Sequence, residues 1–349
     1  MGRRVTVKDV ASAANVSPST ASRVLSGQAD VDPAMARRVH EASTRLRYSA
    51  NVMARALRTR QTDTIGVVVP AINNPYFIGA VEAIAQVLTD TGRSLILCDS
   101  HDDVATEARQ IELLRNRMVD GLVVIPVSAT ESAAAISAAA LDLPVVQLDR
   151  VAEGGGTDFV GSDEFEGVRL AIEHLRGRGA RSFAFIGAQP TTSTADARLR
   201  AFRALTSDDE GARERELLGD FTTEWGRTAA WTLVNSGPLP DAIMCGADII
   251  ALGVLTTLRA ANVAVPGQVK VISHDDLFIA TMVSPQLSSV RQPLATMAQE
   301  AVALLDARSK DPERPVRKSV FAPTVELRES SLLPLAATEA AANAATERA

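Results

Sequence analysis

Two periodicities divide the chain. Over residues 1–60 apolar positions recur at helical spacing in short pieces, and no strand-like run occurs. From Thr64 onward, short β-rich runs alternate with longer amphipathic ones. Residues 64–69, 94–99, 121–125, 144–148, 182–186, 242–245 and 270–273 predict strands, and 78–92, 105–117, 165–178, 225–235 and 249–261 predict helices between them. Such alternation calls for parallel sheets flanked by helices, with too many units for one small sheet. Gly154-Gly155-Gly156 and the polar stretch 189–196 are expected to carry crossings between sheets or ligand loops. Residues 334–349 are alanine-rich without an apolar stripe and read as a loose tail.

The first helical pieces carry the sharpest pattern. Val7, Val10, Ala11 and Ala14 share one face, with Thr6 placed to cap it, and Asn15-Val16 forms a tight connection. Ser17-Pro18 opens a second helix running to about Ser26, because serine caps free N–H groups and proline fits the first turn. Ala21, Val24 and Leu25 turn inward, while Ser19, Thr20, Ser22 and Arg23 turn outward. Asp32-Pro33 starts a third helix that packs Met35, Val39, Ala42 and Leu46. Two short helices about a turn, the second presenting small polar side chains and an arginine, match a helix-turn-helix. An ordinary helical hairpin needs neither feature.

Charge adds to this pattern. The 349-residue chain has a net charge of −6, yet residues 1–63 hold 11 basic against 5 acidic side chains and the remainder 25 against 37. A basic arm on an acidic body suits a polyanion-binding module attached to a non-binding domain; a solvated helical surface is the plainer reading. The length implies two or three domains, and 46 % hydrophobic with 22 % charged residues excludes disorder of the whole chain. No apolar run approaches the ~20 residues of a membrane helix. No signal peptide opens the chain, and cysteine is limited to Cys98 and Cys245. The cytoplasm is the default compartment, without disulfide framework, metal site, cofactor or membrane contact. The common nucleotide, zinc and nucleophile motifs are absent, and His40, His101, His174 and His274 are scattered, so no enzyme is predicted. A periplasmic-type sugar-binding protein and a sugar-metabolising enzyme without a DNA role are the alternatives.

Longer motifs run in one register over about residues 5–330. They are Val7-Lys-Asp-Val-Ala11, Asn15-Val-Ser-Pro-Ser-Thr-Ala-Ser-Arg-Val-Leu25, Leu46-Arg-Tyr-Ser-Ala-Asn51 and Ala54-Arg-Ala-Leu57. Thr64-Ile-Gly-Val-Val-Val69, Asn74-Pro-Tyr-Phe77, Val119-Asp-Gly-Leu122, Leu148-Asp-Arg150, Gly219-Asp-Phe221 and Arg291-Gln-Pro293 follow. Through these motifs the chain closely resembles the lactose-repressor/galactose-repressor family of bacterial transcription factors.

The resemblance implies an α/β protein: a helix-turn-helix headpiece and a periplasmic-binding-protein-like core of two doubly wound α/β subdomains. The headpiece falls on residues 1–50, a hinge helix and linker on 51–62, the core on 63–330 and a disordered tail on 331–349. Within the core, 63–161 and 292–322 form one subdomain, 162–291 and 323–330 the other, with crossings near Ser162, Arg291 and Ala322-Pro323. The family's major-groove readers fall on Pro18, Ser19 and Arg23; arginine offers two donors to guanine, and serine bonds either type of base edge. Phosphate contacts fall on Thr6, Ser17, Thr20 and Ser22, although Ser17 reads equally as a helix cap only. Asn51 to Arg58 becomes the hinge, too short for a stable isolated helix, with Leu57 as the minor-groove wedge. Ala50 stands where the family pattern usually has proline.

Sugar-binding positions fall on Asp149, Arg198 and Asp275, with Tyr76, Phe77, Phe221 and Trp225 as apolar faces. The hydroxyl run Thr191-Thr192-Ser193-Thr194 either adds contacts, Thr194 first among them, or is a surface loop. Two departures stand out. Ser273-His-Asp-Asp276 replaces the usual glycine-aromatic pair, so that His274 either faces the ligand or is a satisfied structural histidine. Arg150 follows Asp149 where a purine-binding branch carries tryptophan. The expectation is a homodimeric repressor on pseudo-palindromic double-stranded operator DNA, controlled by a small effector, a sugar by preference. Leu332, Leu333 and Leu335 do not form a tetramerising heptad.

Overall fold

A reciprocal cap opens the amino-terminal unit: Thr6 Oγ1 accepts the Asp9 N–H while Asp9 accepts the Thr6 N–H at 2.8 Å. The computed structural model describes residues 5–25, 31–46, 48, 61–209 and 211–332. The chain divides into two compact units, Met1–Thr62 and Asp63–Ala349. The first holds α1 (Val7–Ala14), α2 (Pro18–Leu25) and α3 (Pro33–Arg45). Asn15 ends α1 in the left-handed region at φ 51, a conformation asparagine tolerates, which turns the chain into α2. Val10, Ala11, Ala14, Ala21, Val24, Val39 and Ala42 form the core. Met35 is not part of it: it is 41 % exposed, whereas Val31 and Ala36 on either side of it pack against this core.

The second unit begins with β1 (Thr64–Val69), α4 (Pro75–Asp90), β2 (Ser94–Asp99), α5 (Val104–Asn116), β3 (Gly121–Val124), α6 (Ala133–Ala140), β4 (Val145–Leu148) and β5 (Asp158–Ser162). Alternation along β1 sends Ile65, Val67 and Val69 into one core and Val68 into the other, so this sheet is covered on both faces. The chain then enters a second sheet. This part comprises α7 (Glu164–Gly177), β6 (Phe183–Ala188), α8 (Ser193–Leu205), β7 (Glu216–Gly219), α9 (Thr223–Asn235), β8 (Ala242–Cys245), α10 (Asp248–Ala260), β9 (Lys270–Asp275) and β10 (Ser288–Arg291). It returns through α11 (Leu294–Lys310) and β11 (Lys318–Phe321) to the first sheet, and crosses again to β12 (Thr324–Glu326). The sheet orders are β11-β5-β4-β3-β1-β2 and β12-β10-β9-β8-β6-β7, parallel except for the β10–β12 pair.

Several sequence expectations change. Gly154-Gly155-Gly156 carries no crossing; it turns between β4 and β5 of one sheet, with Gly154 and Gly156 at positive φ. The polar run from Thr192 is the cap and first turn of α8: Thr192 accepts the Ala195 N–H at 3.3 Å. β5, β7, β10, β11 and β12 are short or carry polar residues and escaped the search for apolar runs. Ser331, placed in the tail by sequence, is buried, with its hydroxyl 2.7 Å from Ser288 Oγ and 2.8 Å from His174 Nε2. Asn51, Leu57 and Arg58, and residues 333–349, lie outside the described residues. Among the described residues no helix is long and apolar enough to cross a membrane.

Helices α9 and α10 pack backbone against backbone. A Cβ on Gly226 would lie 2.0 Å from Ile250 O, and one on Gly253 2.0 Å from Thr223 O. This crossing fixes the amino termini of both helices, where residues 222, 223 and 249 face the cleft described next. Gly226→Ala is therefore expected to destabilise the protein by about 3 kcal/mol or more, read as a lower urea midpoint. An unchanged midpoint would show that the helices separate without cost.

Candidate functional site

On the amino-terminal unit, α2 presents Pro18, Ser19 and Arg23 as exposed side chains, with Thr20 and Ser22 half-buried and Thr6 exposed at the α1 cap. Ser17 is exposed and caps: its Oγ accepts the Thr20 N–H at 3.1 Å and lies 2.7 Å from Ser19 Oγ. A short helix whose inner face is alanine and valine, and whose outer face is hydroxyl, proline and guanidinium, can lie against a groove of base edges and phosphates.

On the second unit, the carboxyl ends of both sheets face one cleft, the usual place for a ligand of open α/β sheets. Tyr76 and Phe77 come from the first turn of α4, held by Asn74, whose Oδ1 accepts the Tyr76 N–H at 3.1 Å. Asp149 follows β4, Thr194 and Arg198 lie on α8, Phe221 follows β7 and Asp275 ends β9. All seven predicted residues line one chamber, together with Asn74 and Arg150. Its free volume is only about 10 Å³, whereas an adjoining outer cavity of about 690 Å³ reaches Asn73, Asp102, Gln189, Thr191, Asp220 and Thr222. Asp149 and Asp275 sit at φ 63 and φ 106, unfavourable for side chains with a Cβ, so the surrounding packing must hold both carboxylates in place.

Hydrogen bonds cross the chamber. The Tyr76 hydroxyl donates to Asp149 Oδ1 at 2.6 Å and lies 3.0 Å from Gln292 Oε1, while Gln292 Nε2 donates to Asp275 Oδ1 at 3.2 Å. Val151 N–H donates to Ser193 Oγ at 2.9 Å and Ala129 N–H to Thr191 O at 3.0 Å, so backbone of the first subdomain meets the second. Arg198, 4 % exposed, donates from Nε and Nη2 to Glu164 at 2.6 and 3.2 Å and from Nη1 to Gly246 O at 2.8 Å. Arg150, 5 % exposed, lies 5.2 Å from the Phe77 ring and 5.3 Å from the Phe221 ring, a guanidinium between aromatics of opposite subdomains.

Burial dominates the electrostatics. It holds Asp275 well above the ordinary carboxylate range, against the pull of Arg198, and pushes the Tyr76 phenol up with help from Asp149. Burial lowers Arg150; for Arg198 the same effect is outweighed by Glu164 and Asp275, which hold it above its usual value.

Other expectations resolve differently. Trp225 does not line the chamber: its Nε1 donates to Gly187 O at 2.9 Å and its ring packs against Gly219. His274 is fully buried away from the chamber, 3.4 Å from Glu164 Oε2, and neither ring nitrogen makes a hydrogen bond, so it is not a satisfied histidine. Burial and Arg198 push it well below its usual range, which keeps it neutral. Sequence reasoning missed Glu164 and Gln292. Both sit beside a crossing between the sheets, where three-dimensional neighbours leave no local pattern. Asn74 was legible as a cap before proline. Among the described residues no cluster of His, Cys, Asp or Glu could hold a metal ion.

Comparison with known proteins follows this division. Residues 6–51 match the family described as bacterial regulatory proteins, lacI family, and residues 172–331 match the periplasmic binding protein-like domain. The HTH-type transcriptional repressor PurR of Glaesserella parasuis serovar 5 (strain SH0165) is 30% identical over 333 residues, 93% of this chain and 98% of that protein. The ribose operon repressor of Escherichia coli (strain K12) is 30% identical over 312 residues, 88% and 94% of the two chains. The lac repressor dimer bound to operator and the anti-inducer ONPF shares the fold, with a TM-score of 0.85 at 23% identity over 95% of this chain and 100% of that one.

Beneath the chamber floor, Asp248 accepts the Leu277 N–H and the Ser289 hydroxyl, each at 2.7 Å. Burial pushes its carboxyl from 3.8 up to about 6. The folded state thus holds this proton more tightly than the unfolded chain, and the stability it contributes is lost as pH rises through about 6. Between pH 5 and 7 the wild type is expected to lose about 1 kcal/mol relative to Asp248→Asn in urea denaturation. Parallel pH profiles for the two proteins would refute this.

Proposed function

The chain belongs to the lacI family of bacterial regulatory proteins, and on that premise we propose that it is a homodimeric cytoplasmic repressor of a pseudo-palindromic operator, controlled without turnover by a sugar. Its relatives PurR and the ribose operon repressor are transcriptional repressors. One observation carries the effector reading: Asp149 and Asp275, on opposite subdomains, face Arg198 within a chamber walled by Tyr76, Phe77 and Phe221. Fixed carboxylates accept hydroxyl protons, a guanidinium donates to hydroxyl oxygens, and aromatic rings cover the C–H faces between them. That combination suits a polyol and leaves no flat apolar slot for a base, because Arg150 stands between the two rings.

The homodimer is supported by uncovered apolar side chains: Ile72, Ile78 and Leu97 on the first subdomain, Phe278 and Met282 at 68 and 74 % exposure on the second. The lac repressor of the same fold is a dimer on operator. Control follows from linkage: a sugar that bridges both walls favours one closure state, and shifts the equilibrium by the difference in its affinity for the two.

The test is operator binding on DNA flanking the protein's own gene, with and without a panel of sugars. Specific binding altered by a sugar supports the proposal; a response to purine bases alone, or sugar turnover without operator binding, overturns it. Arg23→Ala should lose about 1–3 kcal/mol on the cognate operator and little on random DNA. Equal weakening on both would assign Arg23 to phosphate only. Arg198→Ala should bind operator like wild type and no longer respond to the sugar. Calorimetry showing unchanged sugar affinity in this variant would remove Arg198 from the site.

A further inference from the structure

Glu164 belongs to no motif in the sequence, yet it controls what Arg198 can offer. A guanidinium carries five N–H donors in one plane, and the edge formed by Nε and Nη2 is one of the two that can grip a carboxylate or phosphate with two parallel bonds. In this protein Glu164 occupies that edge at 2.6 and 3.2 Å, and Gly246 O takes one Nη1 proton at 2.8 Å. Two N–H groups remain, with Asp275 Oδ1 at 3.7 Å from Nη1. They can still bond ligand oxygens, but the charge that would draw an anion to them is already offset by Glu164. His274, 3.4 Å from Glu164, is neutral, so the charge of Glu164 is balanced by Arg198 rather than by the imidazole.

The charges around the chamber agree. Three carboxylates, Asp149, Glu164 and Asp275, stand against two guanidiniums, Arg150 and Arg198. All five groups are buried, where solvent screens little. An anionic ligand would meet no uncompensated positive charge, because Glu164 pairs with Arg198 and Asp149 stands 4.0 Å from Arg150.

We propose that Glu164 is a specificity-determining positioning residue: by occupying one bidentate edge of Arg198 and offsetting its charge it restricts the cleft to uncharged sugars and excludes sugar acids and sugar phosphates. This deepens the sugar reading above and rests on it. Glu164 acts through Arg198 and need not touch the ligand.

Calorimetry on the full chain tests it with matched pairs: D-ribose and D-ribose 5-phosphate, D-xylose and D-xylonate, D-glucose and D-glucuronate, D-galactose and D-galacturonate. Wild type is expected to favour the neutral member of at least one pair by about tenfold or more, the effect of one poorly screened unit charge. Glu164→Gln keeps the side-chain length and removes the charge, and should narrow that ratio about tenfold. Glu164→Asp keeps the charge and should hold the ratio near wild type, a rescue that loss of packing would not produce. Melting midpoints are read alongside, and the wild-type ratio decides even where Glu164→Gln does not fold. A wild type that prefers the anionic member, or a folded Glu164→Gln with an unchanged ratio, overturns the inference and leaves the sugar reading standing. A wild type that binds no member of any pair overturns both.

Discussion

A charge removed from water must be paired, and the cleft is arranged around that requirement. The Arg198 guanidinium is buried on α8, and an unpaired charge there would cost several kcal/mol. Its partner Glu164 is supplied by the first turn of α7, two residues after the chain leaves the first sheet at Ser162. Asp163, the residue between them, caps that helix by accepting the Glu166 N–H at 3.0 Å. The crossing that joins the two subdomains therefore also sets the orientation of a side chain in the chamber. Movement of the crossing and movement of Arg198 are not independent.

Buried acids also anchor the segment that returns to the first sheet and the end of β10. Asp158, fully buried at the start of β5, is bonded by Arg308 at 3.0 Å from the end of α11 and accepts the Arg317 N–H at 2.7 Å. Arg314 stands 3.4 Å away. This ion cluster pins the segment that leads into β11, the edge strand paired with β5. On the second sheet, Arg291 and Arg328 both bond Asp276 at 2.6 Å, joining the end of β10 to the chain beyond β12.

Much of this was legible in sequence because it depends on local pattern. The Thr6 cap, the Ser17-Pro18 helix start and the alternating valines of β1 are each determined by residues within a few positions of one another. The seven residues named for the chamber came together because a long register of family motifs preserves three-dimensional neighbours that periodicity cannot reveal. What escaped was of two kinds. Short strands such as β5, with Asp158 and Gly161 in five residues, carry too few apolar positions to register. Partners such as Glu164 and Gln292 take their roles from residues 34 and 17 positions away; Gln292 lies inside a recognised motif, Glu164 in none, and neither segment shows what its side chain will meet. Met35 shows the converse failure, since helical spacing put it on the inner face while Val31 and Ala36 take the core contacts at this end of α3.

The chamber's small free volume changes how control by a ligand must work. Tyr76, Gln292 and Asp275 already use one another as hydrogen-bond partners across the cleft, and Arg150 already fills the space between Phe77 and Phe221. On the proposed reading, a sugar would not enter an empty, unsatisfied site; it would replace protein–protein bonds with protein–sugar bonds of similar kind. The net free energy of that exchange is small compared with the number of bonds made. Two features tilt it. The Asp275 carboxyl, held neutral-leaning by burial, would gain hydroxyl donors that favour its charged form. The Arg150 guanidinium, whose Nε has no hydrogen-bond partner in the closed chamber, would gain acceptors. Discrimination between ligands then rests on the groups the closed chamber leaves least satisfied, and the same groups decide which closure state a bound sugar prefers.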